Sequence, residues 1–165
     1  MSMTFEGRVH RFGDEVNTDV ILPGRYLALR DPAELGRHCL EGLDPGFVQR
    51  VRPGDILAVG RNFGCGSSRE HAVIALKAAG VSAIVAVSAA RIFFRNAVNL
   101  GLPVILCPEA ALALREGEAA RITLADMAVE QGGQRWQGLP LGDEVRAILA
   151  AGGLVPRVRQ ALAAA

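Results

Sequence analysis

The residues best suited to chemistry lie in one glycine-rich segment, residues 60–71, which reads GRNFGCGSSREH. Its glycines allow backbone N–H groups to approach a small anion closely. Arg69 adds a planar guanidinium fork, which binds a carboxylate through two hydrogen bonds. The segment therefore predicts an anion site around Ser67 and Arg69.

The start of the helix that follows this segment carries two further signals. Ser67 and Glu70 have the spacing of a capping box, which predicts that Ser67 caps the helix. Arg69 places a positive charge beside the positive end of the helix, which is unfavourable for the helix alone and suggests a ligand that offsets it. An alternative stays open, in which the glycines only turn the chain and Arg69 is solvated.

The elements around this segment predict a parallel sheet. Three short apolar runs are typical of buried strands: residues 55–60, 83–88 and 102–106. Two helices are predicted between them: residues 68–79 and 91–100. Alternation of strand and helix indicates right-handed crossovers, and ligands gather at the strand-to-helix junctions of such sheets.

The flanks of this centre add further elements. On the N-terminal side we expect two strands and a helix, namely residues 7–12, residues 20–22 and a helix from an Asp31 N-cap to about Leu40. On the C-terminal side we expect a β-ribbon and a helical tail, namely residues 120–124, 127–131 and 135–136, then a helix from Gly142 broken at Gly152 and Gly153. The sequence predicts one mixed α/β domain over residues 1–165.

Composition excludes several classes of function. The 18 basic and 17 acidic residues give a net charge of +1 without a basic block, so nucleic acid is not an expected partner. No apolar run reaches the roughly 20 residues that span a bilayer, and the N-terminal residues do not resemble a signal peptide, so we expect no membrane partner and a cytoplasmic protein. The three cysteines lack paired spacing, which predicts reduced thiols and no metal or iron–sulfur site on this chain.

Three blocks of the sequence resemble the swivelling domain of the aconitase superfamily. Residues 64–71, GCGSSREH, are similar to the family signature GxGSSREH, and residues 88–96, SAARIFFRN, and 12–23, with FGD and NTDVILP, match two further blocks. They occur in the family's order and cover about residues 6–110. The resemblance implies a swivelling β/β/α domain, with a central parallel βαβαβ sheet and flanking β-strands. Val20 departs from the histidine that aconitases carry after the matching aspartate.

The resemblance also implies roles and partners. Ser67 corresponds to the serine that acts as catalytic base, Ser68 and Arg69 to binders of a substrate carboxylate, and Asp19 to a supporting residue. A [4Fe–4S] cluster is bound by three cysteines of a large subunit in this family, so this chain is expected to bind no cofactor itself. A separate chain that begins at this domain resembles small subunits of the isopropylmalate isomerase and homoaconitase families. We therefore expect a hetero-oligomer that acts on a small dicarboxylate.

The choice of substrate depends on residues 24–30, which in these families recognise the variable group. Ala28 and Leu29 are apolar and suit the isopropyl group of isopropylmalate, which implies a hydro-lyase of leucine biosynthesis. Arg25 is expected to bind a carboxylate common to all substrates. Arg30 can reach an additional carboxylate, so a homoaconitase or dual-specificity subunit is the alternative. An alternative of another class is a stand-alone regulatory module that only binds an anion.

Overall fold

The parallel half of the sheet is made of short apolar strands, and β2 and β3 are buried along their whole length. The computed structural model describes residues 3–165. The parallel strands are β1 (Thr4–Phe12), β2 (Ile56–Val59), β3 (Ala83–Ala86) and β4 (Val104–Leu106). Burial on both faces is typical of parallel strands that have helices packed against them.

Three antiparallel strands extend the same sheet beyond β1. They are β5 (Ala119–Thr123), β6 (Ala128–Gln131) and β7 (Gln134–Gln137). The strand order is β4-β3-β2-β1-β5-β6-β7. β1 is long enough to serve both halves, because its C-terminal part pairs in parallel with β2 and its N-terminal part pairs antiparallel with β5.

Eight α-helices surround the sheet within residues 3–165, together with a 3-10 turn over Gly24–Tyr26. The first four are α1 (Thr18–Ile21), α2 (Pro32–Arg37), α3 (Phe47–Arg50) and α4 (Glu70–Ala79). The other four are α5 (Arg91–Asn99), α6 (Pro108–Ala113), α7 (Asp143–Ala151) and α8 (Leu154–Ala163). Within the described chain, no helix combines the length and apolar character needed to cross a membrane.

Two hydrophobic cores lie on opposite faces of the sheet, because successive side chains of a strand point to opposite sides. In β2, Leu57 and Val59 join the core that contains α1 to α5 residues, whereas Ile56 and Ala58 join the core that includes α6 and β5 residues. All four side chains are buried. Helices therefore cover both faces of β2, and its C-terminal end is held rigidly where the glycine-rich segment begins.

The structure confirms the predicted fold class, including the parallel βαβαβ centre and the flanking strands. Two flanking predictions need correction. Residues 20–22 do not form a strand, because Asn17 caps the short helix α1 by accepting a hydrogen bond from the Val20 amide at 2.9 Å. The helix expected to reach Leu40 ends at Arg37, and Leu40 adopts a positive φ of 59° in the turns that follow.

Candidate active site

The glycine-rich segment leaves the C-terminal end of β2 and passes over the N-terminal block of residues 16–19. Gly64 N–H donates to the Val16 carbonyl at 2.8 Å, and Thr18 N–H donates to the Cys65 carbonyl at 2.9 Å. Beyond these two anchors, Gly66, Ser67 and Ser68 are exposed. The loop is therefore fixed at its base and presents the two serines to a ligand or a partner.

Gly64 is required where the loop meets helix α5. Its φ of 79° is in the left-handed region, and a Cβ atom at this position would lie 2.1 Å from Cγ of Phe93. The Phe93 ring packs edge-on against Phe63, with ring centroids 5.2 Å apart. This contact links the signature segment to the family block of residues 88–96, which leads into α5.

Ser67 does not cap helix α4, contrary to the capping-box prediction. The N-cap residue is Arg69, and no side chain accepts a hydrogen bond from the first turn. Ser67 Oγ instead lies 3.0 Å from Oγ1 of Thr18, a side chain that is only 1% exposed. The local sequence permits both arrangements, and the packing of α1 beneath the loop selects the contact with Thr18.

Arg69 forms an ion pair with Asp19, through Nη1 and Oδ1. The contact brings the charges together without the alignment of a good hydrogen bond, since Nη1 is buried and lacks an aligned acceptor. The Asp19 carboxylate thus offsets part of the repulsion between the Arg69 charge and the positive end of helix α4. Asp19 is exposed, so this pair lies at the surface beside Ser67.

Ser68 is held from the other side by Asn96. Asn96 Nδ2 donates to the Ser68 carbonyl at 3.2 Å. The Ser68 hydroxyl itself has no hydrogen-bond partner among residues 3–165. Residues 12–23 therefore support Ser67 and Arg69, through Thr18 and Asp19. Residues 88–96 support Ser68, through Asn96. All three family blocks meet at one loop.

The loop of residues 24–30 lies next to Arg69. A Cβ atom at Gly24 would lie 3.6 Å from Arg69 Nη1, so the guanidinium packs against the backbone there. Arg25, by contrast, is engaged elsewhere, because its Nη2 donates to Glu41 at 3.1 Å and its guanidinium lies 4.6 Å from the Tyr26 ring centroid.

A cavity of about 520 Å³ opens beside the same loop. Its lining residues are Leu27, Ala28, Leu29, Arg30, Leu35, His71 and Ile74. Most of these side chains are aliphatic, and the two basic ones, Arg30 and His71, come from the loop and from helix α4. The cavity can therefore receive a small alkyl group, and the Arg30 guanidinium and the His71 ring can meet a polar one.

Cys65 is poorly suited to be a nucleophile or a metal ligand. Partial burial and the neighbouring carboxylate of Glu15, to which Sγ donates at 3.7 Å, raise the pKa of its thiol. The other cysteines, Cys39 and Cys107, are buried. Across residues 3–165, no group of three or more His, Cys, Asp or Glu side chains could hold a metal ion.

The structure brings together four of the residues singled out from the sequence, namely Ser67, Ser68, Arg69 and Asp19. Ala28 and Leu29 line the adjacent cavity, whereas Arg25 is not among its lining residues and pairs with Glu41. Sequence reasoning assigned no role to Thr18, although it belongs to the matching N-terminal block. The contact between its hydroxyl and Ser67 is the most specific feature that only the structure reveals.

The parallel sheet with an exposed GxGSSREH loop at its carboxyl edge defines an aconitase-type domain. The family model described as Aconitase C-terminal domain matches residues 43–109. A 3-isopropylmalate dehydratase from Methanocaldococcus jannaschii, known from its crystal structure, superimposes with a TM-score of 0.91. It is 43% identical, and the match covers 96% of this chain and 95% of that one.

Two curated relatives match over nearly their whole length. The 3-isopropylmalate dehydratase small subunit 1 of Methanopyrus kandleri is 48% identical, over 97% of this chain and 95% of the relative. The 2,3-dimethylmalate dehydratase small subunit of Eubacterium barkeri is 46% identical, over 93% of this chain and 95% of the relative. This chain belongs to the family of 3-isopropylmalate dehydratase small subunits.

Proposed function

We propose that this chain is the small subunit of a 3-isopropylmalate dehydratase, a hydro-lyase that interconverts 2-isopropylmalate and 3-isopropylmalate in leucine biosynthesis. The observation that carries the proposal is the exposed loop of Ser67, Ser68 and Arg69, backed by Thr18 and Asp19, in a chain that matches the relatives named above over nearly their whole length. An active complex then needs a larger partner subunit that faces this loop.

Ser67 acts as the base that removes a proton from the carbon next to a substrate carboxylate. A serine hydroxyl is a weak base, so the alkoxide form must be stabilised by its surroundings. Thr18 Oγ1, at 3.0 Å, can donate a hydrogen bond to that alkoxide. The N-terminus of α4 and the guanidinium of Arg69 contribute positive potential nearby.

Ser68 and Arg69 hold the substrate carboxylate. Arg69 keeps Nη2 and Nε for this purpose, since within residues 3–165 its polar contact is made by Nη1 with Asp19. The Ser68 hydroxyl adds a neutral donor beside this fork. Asp19 keeps the fork oriented before the substrate arrives, so less entropy is lost on binding.

The reaction exchanges one C–H bond and one C–O bond for a double bond. The proton passes to Ser67, the electron pair of the C–H bond forms the double bond, and the hydroxyl group leaves from the neighbouring carbon. Proton and hydroxyl together amount to one water. Return of the proton and the hydroxyl to exchanged carbons then gives the isomer.

Departure of the hydroxyl group requires a Lewis acid, and residues 3–165 offer no group of three or more His, Cys, Asp or Glu side chains to hold a metal ion. The cysteines of this chain are buried or isolated, so they do not fit a [4Fe–4S] cluster. We place that cluster on the larger subunit, where it would supply a Lewis acid for the leaving hydroxyl. The part of this chain is to position the substrate and to transfer the proton.

The cavity beside residues 24–30 receives the alkyl group of the substrate. Ala28 and Leu29 line it together with further aliphatic side chains. The relatives named above act, by their names, on malates that carry alkyl groups, which supports this use of the cavity over a third carboxylate. Arg25, at the edge of the same loop, is proposed to reach a carboxylate common to these substrates. Arg30 also lines the cavity and could pair with an additional carboxylate, so the homoaconitase-type alternative is included in the test below.

The decisive experiment is anaerobic co-expression with the cluster-bearing large subunit, followed by assays with isopropylmalate, 2,3-dimethylmalate and homoaconitate. We expect the complex to prefer isopropylmalate and the isolated chain to be inactive. Turnover by the isolated, metal-free chain would contradict the proposal. Anion binding without any turnover by the reconstituted complex would favour a regulatory module instead.

A further inference from the structure

Glu41 is the centre of a side-chain cluster that lies outside the proposed catalytic loop. Its carboxylate accepts hydrogen bonds from Tyr26 Oη at 3.0 Å, from Arg25 Nη2 at 3.1 Å and from His38 Nδ1 at 2.7 Å. The Tyr26 and His38 rings stack with centroids 3.7 Å apart. Two of the three donors, Arg25 and Tyr26, belong to the loop that leads into the alkyl cavity.

That loop has few anchors of its own. Its 3-10 turn has no side-chain cap. The backbone hydrogen bonds of the loop are local: Leu27 N–H donates to the Gly24 carbonyl at 3.2 Å, and Leu29 N–H donates to the Tyr26 carbonyl at 3.0 Å. Apart from the partly buried Leu27 and Leu29, which pack against the core, the side chains beyond Tyr26 are exposed. Short-range bonds of this kind set the shape of a loop, so apart from apolar packing its position relative to other segments depends on the contacts of Arg25 and Tyr26 with Glu41.

The residues around Glu41 are fixed to the element that carries the catalytic support. Leu40 is fully buried, and its N–H donates to the Ile21 carbonyl of α1 at 2.7 Å. Gly42, the residue after Glu41, lies against the backbone of Val20, since a Cβ atom at this position would be 3.5 Å from the Val20 carbonyl oxygen. Helix α1 also carries Thr18, so the segment that carries Glu41 packs on the same helix as the residue that contacts Ser67.

Glu41 is ionised whenever the protein is near neutral pH. The hydrogen bond from His38, followed by that from Tyr26, lowers the pKa of its carboxyl group, and Arg25 acts in the same direction. A carboxylate holds three donors at once more strongly than a neutral group would. The contact to Arg25 uses only Nη2 among the described residues, so Nε and Nη1 stay available for a substrate carboxylate.

We infer that Glu41 is a positioning residue for substrate binding, which holds the loop of residues 24–30 in place relative to helix α1 and therefore relative to Ser67. The inference rests on the proposed function, because it takes the cavity beside this loop as the site of the substrate's alkyl group. Glu41 itself touches no reacting atom. Its loss therefore weakens substrate binding and selection and leaves the proton-transfer step nearly intact.

The test is Glu41→Gln in the complex with the large subunit, with Glu118→Gln as the matched control. Glu118 is also a carboxylate in a surface ion pair, with Arg115, and it lies in the segment before β5 rather than beside the loop. We expect Glu41→Gln to raise KM for isopropylmalate about tenfold with kcat changed less than about twofold. Tyr26→Phe, which removes one of the three donors, should give a smaller rise.

A second measurement does not depend on turnover. Hydrogen exchange at the amides of Leu27 and Leu29 should become faster in Glu41→Gln and stay unchanged in Glu118→Gln. If both variants resemble wild type in exchange and in KM, the role of Glu41 is refuted while the dehydratase proposal stands. If the wild-type complex has no dehydratase activity, the proposed function fails, and exchange rates still decide whether Glu41 holds the loop.

Discussion

Thr18 Oγ1 lies 3.0 Å from Ser67 Oγ and 3.2 Å from the Ser67 carbonyl oxygen. A single hydroxyl proton can serve either acceptor. While Ser67 is neutral, Thr18 can donate to the carbonyl and accept from the Ser67 hydroxyl. Once Ser67 is an alkoxide, the same proton can turn to Oγ, so the contact can follow the charge during proton abstraction.

This relationship predicts that Thr18→Val lowers kcat and leaves KM nearly unchanged. Valine keeps the shape of threonine but cannot donate to the alkoxide, and we expect a loss of about tenfold to a hundredfold, somewhat below that for a dedicated oxyanion donor. Thr18→Ser retains the hydroxyl and should recover most of the activity. Equal losses in both variants, measured by steady-state kinetics of the complex, would indicate a packing role only.

Ser67 and Arg69 should fail in different ways. Ser67→Ala removes the proposed base, so kcat should fall by about 10²–10⁴-fold with KM little changed. Arg69→Lys keeps the positive charge but loses the planar guanidinium, which contacts Asp19 and is proposed to bind the substrate carboxylate. KM should therefore rise by a larger factor than kcat falls. Both variants should still associate with the large subunit in size-exclusion chromatography. Similar, modest losses for both would reduce the loop to a structural element.

The cavity predicts the result of adding charge at Ala28. Ala28→Arg fills apolar space and introduces a partner for an additional carboxylate, so kcat/KM for isopropylmalate should fall about 10- to 200-fold. The ratio should shift toward homoaconitate-type substrates. Ala113→Arg, at an exposed position on α6, is the control and should change neither value. If wild type already prefers the tricarboxylate, Arg30 governs the cavity and the leucine-pathway assignment is wrong.

A buried pair on the opposite edge of the sheet predicts the pH dependence of stability. Burial favours the neutral form of Asp55, but hydrogen bonds from His10 Nε2 at 2.7 Å and from the Arg52 and Arg8 amides outweigh it and lower the pKa of Asp55. A lowered pKa in the folded state stabilises the protein at pH values above the ordinary aspartate pKa of about 3.9. This contribution is lost as pH falls through the folded-state pKa.

Asp55→Asn should therefore reduce the free energy of unfolding by about 2 kcal/mol at pH 7, because it replaces hydrogen bonds to a charged carboxylate with weaker ones to a neutral amide. Below about pH 4 the difference from wild type should shrink, since Asp55 is then protonated first in the unfolded state and, at its lower pKa, finally in the folded state. Urea unfolding at several pH values measures this difference. A difference that stays constant from pH 7 to pH 3 would contradict the assignment.

The fold class could be predicted because its signals are local. Residues 83–86 form a buried strand and residues 91–99 a helix, near the predicted bounds, since apolar runs and glycine stops act within a few residues. Residues 20–22 were predicted wrongly for the same reason, because β-branched residues favour a strand until the Asn17 cap imposes a helical turn. The prediction that Arg69 binds an anion rests on residue type and on its place beside a helix start.

The sequence by itself thus determined the sheet, the exposed glycine-rich loop and the residue types that can bind a carboxylate. The tertiary structure decided which side chains support them. Ser67 contacts Thr18, 49 positions away, instead of capping its own helix, and Asp19 rather than a ligand faces Arg69. These pairings depend on the parallel alignment of β1 with β2, which places α1 under the loop. Long-range packing of this kind leaves no periodic signal in the sequence, since each partner is compatible with many local conformations.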